Sequence, residues 1–165
     1  MSTSPVELRP LQNEDLDALF DMYAAVVDDG GAMPANGATM DVFLEGWIRN
    51  RAVFVAWQDE KIVGSYFVRS NFPAFAAHIA QGGYTVSSTA RRQGIARLMV
   101  QDSLQQAARL GYTAMMFNLV LEHNPSRTLY ESLGFEVIGR IPHAKQDEDA
   151  MIYWRSLEDL TPNAD

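Results

Sequence analysis

The spacing of apolar residues changes period repeatedly along this chain, and each change predicts an element. Val6 to Arg9 is a short β-prone run. Asn13 then reads as a helix N-cap, with acidic Glu14 and Asp15 in the first turn. Leu16, Leu19, Phe20, Tyr23 and Val27 mark one face of that helix. Asp28 to Gly37 (DDGGAMPANG) is a loop by composition. From about Met40 to Asn50 the spacing predicts a second helix, with Phe43, Leu44 and Trp47 on its apolar side. Ala52 to Trp57 and Lys61 to Ser70 read as strands joined by the polar turn Gln58-Asp59-Glu60. Asn71 to Ala76 is a second loop. Ala77 to Ser87 is a third long strand, interrupted by Gly82-Gly83, where a bulge or a close backbone approach is expected.

The central helix follows. Ala96, Val100, Leu104 and Ala107 form a stripe of period 3.6, and Gly111 stands where a helix C-terminus needs a left-handed residue. Ala114 to Val120 (AMMFNLV) is an almost continuous apolar run, which predicts a strand buried on both faces. Asn124-Pro125 predicts a helix start, with Asn as N-cap and Pro in the first helical position, and Gly134 ends that helix. Phe135 to Ile141 and Ala150 to Arg155 complete the strands, and Pro162 to Asp165 reads as a frayed tail. The order is strand, two helices, three strands, helix, strand, helix, two strands, an α/β pattern. No repeat or low-complexity segment interrupts it. The 165 residues are expected to form a single domain with its core at about 6–157.

Composition narrows the function classes. The chain has no cysteine, which excludes a disulfide scaffold, a thiolate-held metal and a thiol nucleophile, and fits a reducing cytoplasm. The start MSTSPVELRP lacks the apolar stretch of a secretory signal, and no apolar run has membrane-spanning length. His78, His123 and His143 lack metal-ligand spacing. A net charge of −8 argues against nucleic acid as a partner. No P-loop or dinucleotide fingerprint is present, so nucleotide hydrolysis and dinucleotide redox work are not expected.

Against this acidic background one segment stands out. Tyr84-Thr85-Val86 leads into a small, polar turn, then Arg91, Arg92, Gln93, Gly94, Ile95, Ala96 and Arg97 open the central helix. A strand that ends in a basic, Gly-containing turn at a helix N-terminus directs backbone N–H groups and the positive end of the dipole at one point. Gly94, without a Cβ, lets an anion approach the chain closely. Arginines at a helix start oppose the dipole, which is a poor arrangement unless an anion arrives.

The pattern Arg91-x-x-Gly94-x-Ala96 resembles the pyrophosphate loop of the GCN5-related N-acetyltransferases (GNAT). Val86 lies eight residues before Gly94, where that family's cofactor strand carries an apolar residue. Downstream, NPSRTLYESLGF (Asn124 to Phe135) resembles the family's second signature, an Asn, a helix with Leu-Tyr, then Leu-Gly-Phe. The resemblance spans roughly Val6 to Leu157. It implies a GNAT-type acyl-CoA N-acyltransferase fold, a mixed, mostly antiparallel sheet flanked by helices on both faces. The third long strand and the strand after the central helix splay apart in that fold, and the pantetheine arm lies between them. The co-substrate it implies is acetyl-CoA. The cofactor-binding residues it implies are Tyr84, Thr85, Val86, Arg91, Arg92, Gln93, Gly94, Ile95, Ala96, Arg97 and Asn124. The Val86 N–H would face the thioester oxygen. Because coenzyme A is a polyanion, its binding must overcome the protein's overall negative field through the local arginines.

The same resemblance makes Tyr130, the tyrosine of the Leu-Tyr pair, the general acid for the departing thiolate; a phenol with a pKa of about 10 has a proton to give. The spacing from Asn124 to Tyr130 is one residue shorter than the family's, which leaves His123 and Asn124 as alternatives for the cofactor contact. The general base is open among Glu122, Asn118, His78, His123 and a water. The loops Asp28 to Gly37 and Asn71 to Ala76, with Trp47, Phe72 and Phe75, are expected to shape the acceptor pocket. Asp28, Asp29 and the run Asp147-Glu148-Asp149 would draw a cationic amine or stand as solvated loop charges. The expected activity is transfer of an acetyl group to a primary amine, first of all of a small molecule. A protein lysine or N-terminal acetyltransferase and a non-catalytic acetyl-CoA sensor are the alternatives. A homodimer is left open.

Overall fold

The computed structural model describes residues 4–29 and 37–161. Most of the loop expected at Asp28 to Gly37 and the tail from Pro162 lie outside them. Among the described residues, seven strands and four helices follow one another in the predicted order. They are β1 (Glu7–Pro10), α1 (Leu16–Asp28), α2 (Met40–Phe43), β2 (Ala52–Gln58), β3 (Lys61–Ser70), β4 (Ile79–Val86), α3 (Ile95–Arg109), β5 (Ala114–Leu121), α4 (Arg127–Ser132), β6 (Glu136–Lys145) and β7 (Glu148–Ser156). The strands hydrogen-bond in the order β1-β2-β3-β4-β5-β7-β6. Where registered, β1 with β2, β2 with β3, β5 with β7 and β6 with β7 are antiparallel, and β4 with β5 is parallel. No helix among the described residues is long and apolar enough to cross a membrane.

The chain divides into two compact units, Met1–Arg69 with Gly83–Ser103, and Ser70–Gly82 with Leu104–Asp165. In the first, alternation along β2 and β3 sends side chains to two faces. Val53, Val55 and Phe67 meet Leu19, Tyr23, Phe43 and Trp47 of the first two helices. On the other face Phe54 stacks on Tyr66 at 4.8 Å, and the Tyr66 hydroxyl donates to Asp102 of α3. Gly64 faces α3 because a Cβ there would stand 3.1 Å from the Met99 sulfur. Each large side chain buried in this way stabilises the fold by about 1.5–3 kcal/mol.

The first two helices differ from expectation, one at its start and one along its length. Asn13 does not cap α1; a short 3₁₀ turn, Asn13–Asp15, comes first. Buried Asp15 closes it, accepting the Gln12 N–H at 2.9 Å and a two-pronged contact from Arg9 at 2.7 and 3.0 Å. A charged pair this well satisfied outcompetes an exposed Asn cap. The helix expected at Met40 to Asn50 is capped by Thr39, whose hydroxyl accepts the Val42 N–H, and after Phe43 it widens into a π turn, Leu44–Ile48. The widened turn seats Trp47 in the core with its Nε1 donating to Ser65 at 3.1 Å.

In the second unit, β4 pairs with β5 at Ile79↔Ala114 and Ala80↔Met115. The apolar run of β5 is buried on both faces only in its first half. Leu119 is 65% exposed, at a break in the β5–β7 register between Phe117 and Val120. Gly111 and Gly134 hold φ of +92° and +89° and end α3 and α4 as expected. Each is followed by an N–H that reaches back across the last turn, Tyr112 to the Ala107 oxygen and Phe135 to the Tyr130 oxygen.

Candidate active site

The basic turn after β4 belongs to the first unit. Ser87 leaves the strand by donating its N–H to the Val63 oxygen at 2.9 Å, and Ser88–Ala90 make a 3₁₀ turn. Two residues of the next four then take left-handed backbone, Arg92 at φ +62° and Gly94 at φ +78°. For Arg92 that conformation carries a steric cost. The Gly94 oxygen accepts the Leu98 N–H at 3.1 Å, so α3 starts immediately after it. The N–H groups of Ile95 and Ala96 lie in the first helical turn and have no intrahelical acceptor. Val86, Ala90, Arg91, Arg92, Gly94, Ile95 and Ala96 line one cavity of about 170 Å³.

This cavity suits a phosphate. It has a helix N-terminus, left-handed backbone at Arg92 and Gly94, and two exposed arginines at its rim. Gly94 serves it twice: no atom lies within 4 Å of where its Cβ would stand, so that side is open, and its positive φ disfavours any side chain. Gln93 and Arg97 are exposed beside the turn and do not line the cavity. Ala90, brought in by the 3₁₀ turn, lines it without having been expected; nothing in the polar run Ser87-Ser88-Thr89 marked its neighbour as a wall. Ala96 also moves from its expected place. The buried face of α3 is Ile95, Met99, Val100, Ser103, Leu104, Ala107 and Ala108, and Ala96 turns toward the cavity.

On β4 itself, half-buried Val86 forms one wall. Thr85 is buried, with its Oγ1 unpartnered, and the Tyr84 hydroxyl lies 2.6 Å from Ser103 Oγ, which in turn donates to the Val100 oxygen. The Tyr84 hydroxyl is therefore engaged inside the unit.

Tyr130 belongs to the second unit. Its half-buried ring packs on Phe117 at 4.7 Å and on Phe135 and Tyr153, each at 5.9 Å. Burial is the main cause that pushes its phenol above the usual tyrosine range; the nearby Ser126 hydroxyl opposes this. The phenol therefore holds its proton at neutral pH. α4 is tied down around it. Arg127 donates to the Tyr153 hydroxyl and to the Glu122 oxygen, each at 2.8 Å, and Tyr153 donates to Glu131 at 2.7 Å.

The helix starts later than the Asn124-Pro125 reading placed it. Its first residue is Arg127, with Ser126 at the N-cap position. Asn124 Oδ1 accepts the Ser126 N–H at 2.8 Å, closing a turn around Pro125 that delays the helix. Asn124 is thus engaged in its own turn. His123 points its N–H and Nδ1 at Glu148, at 3.0 and 3.2 Å. Among the base candidates, Asn118 exchanges two hydrogen bonds with Asn71, at 2.8 and 2.7 Å. Glu122 lies 3.8 Å from Arg140 and 3.9 Å from His123, and His78 Nδ1 lies 3.1 Å from the Phe75 oxygen. No group of three or more metal-binding side chains occurs among the described residues.

The residues expected to shape the acceptor pocket belong to both units. Trp47 is in the core of the first unit, while Phe72 is half-buried and Phe75 is 96% exposed in the second. Glu148 and Asp149 are engaged, the first by His123 and the second by Arg140 at 2.7 Å and the His143 N–H at 2.9 Å. Those bonds hold both carboxyls below the usual carboxylate range.

Comparison with known proteins shows the family. The profile of the acetyltransferase (GNAT) family matches residues 18–135. The N-acetyltransferase aca1 of Schizosaccharomyces pombe is 37% identical over 167 residues, covering 95% of this chain and 75% of that protein. A GCN5-related N-acetyltransferase from Kribbella flavida superposes with a TM-score of 0.83 at 27% identity, over 92% of this chain and 97% of its own. An acetyltransferase from Salmonella typhimurium, solved with its cofactor acetyl-CoA, shares the fold at 17% identity with a TM-score of 0.81, covering 98% of each chain. By its turn, its fold and these relatives, the chain belongs to the GNAT family of acetyltransferases, for which acetyl-CoA is the co-substrate.

Proposed function

We propose that this protein is a single-domain, cytoplasmic N-acetyltransferase whose acceptor is the primary amine of a small molecule, and that Tyr130 is its general acid. The observation that carries the reading is the turn at Arg91 to Ala96, where a left-handed arginine and glycine open a helix beside a cavity of about 170 Å³. In this reading the turn holds the pyrophosphate, Arg91 and Arg92 offset the protein's net charge of −8, and the backbone of Tyr84 to Val86 pairs with the pantetheine arm. Acetyl-CoA supplies the acetyl group as an activated thioester. The Val86 N–H polarises the carbonyl, and Tyr130 Oη keeps a proton through neutral pH and gives it to the leaving sulfur.

Support for Tyr130 comes from its place in the Leu-Tyr signature and from burial that keeps its phenol protonated. The test is an acceptor screen that follows CoA release across amino acids, polyamines, aminoglycosides and peptides. Turnover with small amines and not with peptides is the expected result. Acetylation confined to peptides would favour a protein acetyltransferase, and CoA binding without any turnover would favour a sensor.

A further inference from the structure

Helix α4 begins with a serine that does not cap it. Ser126 stands at the N-cap position, where a hydroxyl ordinarily accepts an N–H of the first turn. Its side chain makes no such bond, and its backbone is already helical at φ −72° and ψ −11°. That backbone is pinned on both sides. Asn124 Oδ1 accepts the Ser126 N–H at 2.8 Å, and the Ser126 oxygen accepts the Tyr130 N–H at 3.0 Å. The residue is fixed in place while its hydroxyl is left out of the cap.

Tyr130 stands one helical turn further on, along the same face. The Ser126 hydroxyl hydrogen-bonds its phenol and draws it down, against the larger effect of burial. A hydrogen bond lowers a phenol by favouring the phenolate, so Ser126 donates and Tyr130 Oη accepts. Of the rings packed on Tyr130, Phe117 of β5 and Phe135 bring no charge. Tyr153 of β7 raises the phenol, and its own hydroxyl is held between Arg127 and Glu131. A phenol has one proton to donate. With a donor already on Oη, that proton is directed away from the helix start.

We propose that Ser126 is a positioning residue for Tyr130: by donating to Oη it keeps the phenol's own proton for the leaving sulfur and steadies the phenolate that remains. The inference rests on the general-acid reading of Tyr130 above. In the step, the Oη–H bond breaks and an S–H bond forms. The electron pair stays on Oη, where the Ser126 hydroxyl meets it, and Tyr130 recovers a proton from solvent. A hydrogen bond to a charged oxygen is stronger than one to a neutral phenol, so the contact tightens as the proton leaves.

The test uses Ser126→Ala and Ser126→Thr, alone and combined with Tyr130→Phe, on an amine from the acceptor screen. Ser126→Ala should lower kcat about tenfold with the KM for acetyl-CoA unchanged. Ser126→Thr keeps a hydroxyl and should hold kcat within about threefold of wild type. In the Tyr130→Phe background Ser126→Ala should cost nothing further, because the hydroxyl it serves is gone. Tyrosinate absorbance gives a readout without turnover. The Tyr130 phenol, taken as the difference between each protein and its Tyr130→Phe counterpart, should titrate at higher pH in Ser126→Ala than with serine in place. Wild-type kcat in Ser126→Ala, an equal loss with and without the Tyr130 hydroxyl, no rescue by threonine, or an unmoved titration would each overturn the positioning role and leave Tyr130 as the acid. Wild-type kcat in Tyr130→Phe alone would overturn the general-acid reading and this inference with it.

Discussion

The turn that opens α3 and the helix that carries Tyr130 are built by different means. The turn is a backbone structure. Its character comes from two left-handed residues, a helix N-terminus and arginines that stand in solvent. α4 is six residues long, too short to be stable by itself, and is held by side chains: the rings of Phe117, Phe135 and Tyr153 around Tyr130, and the Arg127–Tyr153–Glu131 chain of hydrogen bonds. A phosphate needs many N–H groups and a positive field, which the backbone supplies. A proton donor needs one hydroxyl kept protonated in a fixed place, which takes a packed environment. The two regions should therefore fail differently.

The largest effect is expected from Tyr130→Phe. It removes one hydroxyl and keeps the ring stack, so kcat should fall about 10²-fold while acetyl-CoA affinity stays put. Since burial raises the Tyr130 phenol, the protonated form persists as pH rises, and wild-type kcat should not lose its acid until above the ordinary phenol value of about 10. A wild-type kcat in a chemistry-limited assay of the variant would return Tyr130 to the core.

Gly94→Val attacks the other region. Forcing a β-branched residue to φ +78° costs about 1–2 kcal/mol and puts a side chain into the open face of the turn, so CoA affinity by calorimetry should drop about tenfold or more. Gly94→Asn, which tolerates left-handed backbone, should lose less. Unchanged affinity in a folded Gly94→Val protein would place the pyrophosphate elsewhere. Replacing Arg91, Arg92 and Arg97 together by Gln should weaken CoA by about fivefold at low salt and flatten the salt dependence. A slope equal to wild type would make the cluster a solvated helix start.

The smallest change separates packing from chemistry. Tyr153→Phe leaves Arg127 and Glu131 without their shared partner and should lower stability by about 1 kcal/mol, read as a lower melting temperature. CoA affinity should not move. If it falls with stability, the two regions are less independent than their construction suggests.

The turn was legible in the sequence because its requirements are local. Gly94, the arginines and the onset of a helical stripe lie within a few residues, and each has a backbone meaning of its own. Gly111 and Gly134 were legible for the same reason. Asn13 and Asn124 were not, though both read well as caps. Asp15 had a better partner in Arg9 across the strand, and Asn124 spent its side chain on the Ser126 N–H. Asn118 reads as available for chemistry, but Asn71 from another segment exchanges two hydrogen bonds with it. Only for Asn118 was the competitor distant in the chain; for Asn13 and Asn124 a neighbouring turn and a helix cap competed for the same few residues.

By itself, the sequence determined the order of elements, the helix ends that need positive φ, and the basic turn, because periodicity, glycine and charge act over one or two turns of chain. Tertiary structure decided the rest. It widened the helix at Leu44–Ile48 to seat Trp47, exposed Leu119 at a register break, and raised the Tyr130 phenol by packing three aromatic rings around it. Burial and cross-strand pairing depend on residues far off in the chain, so no local pattern carries them.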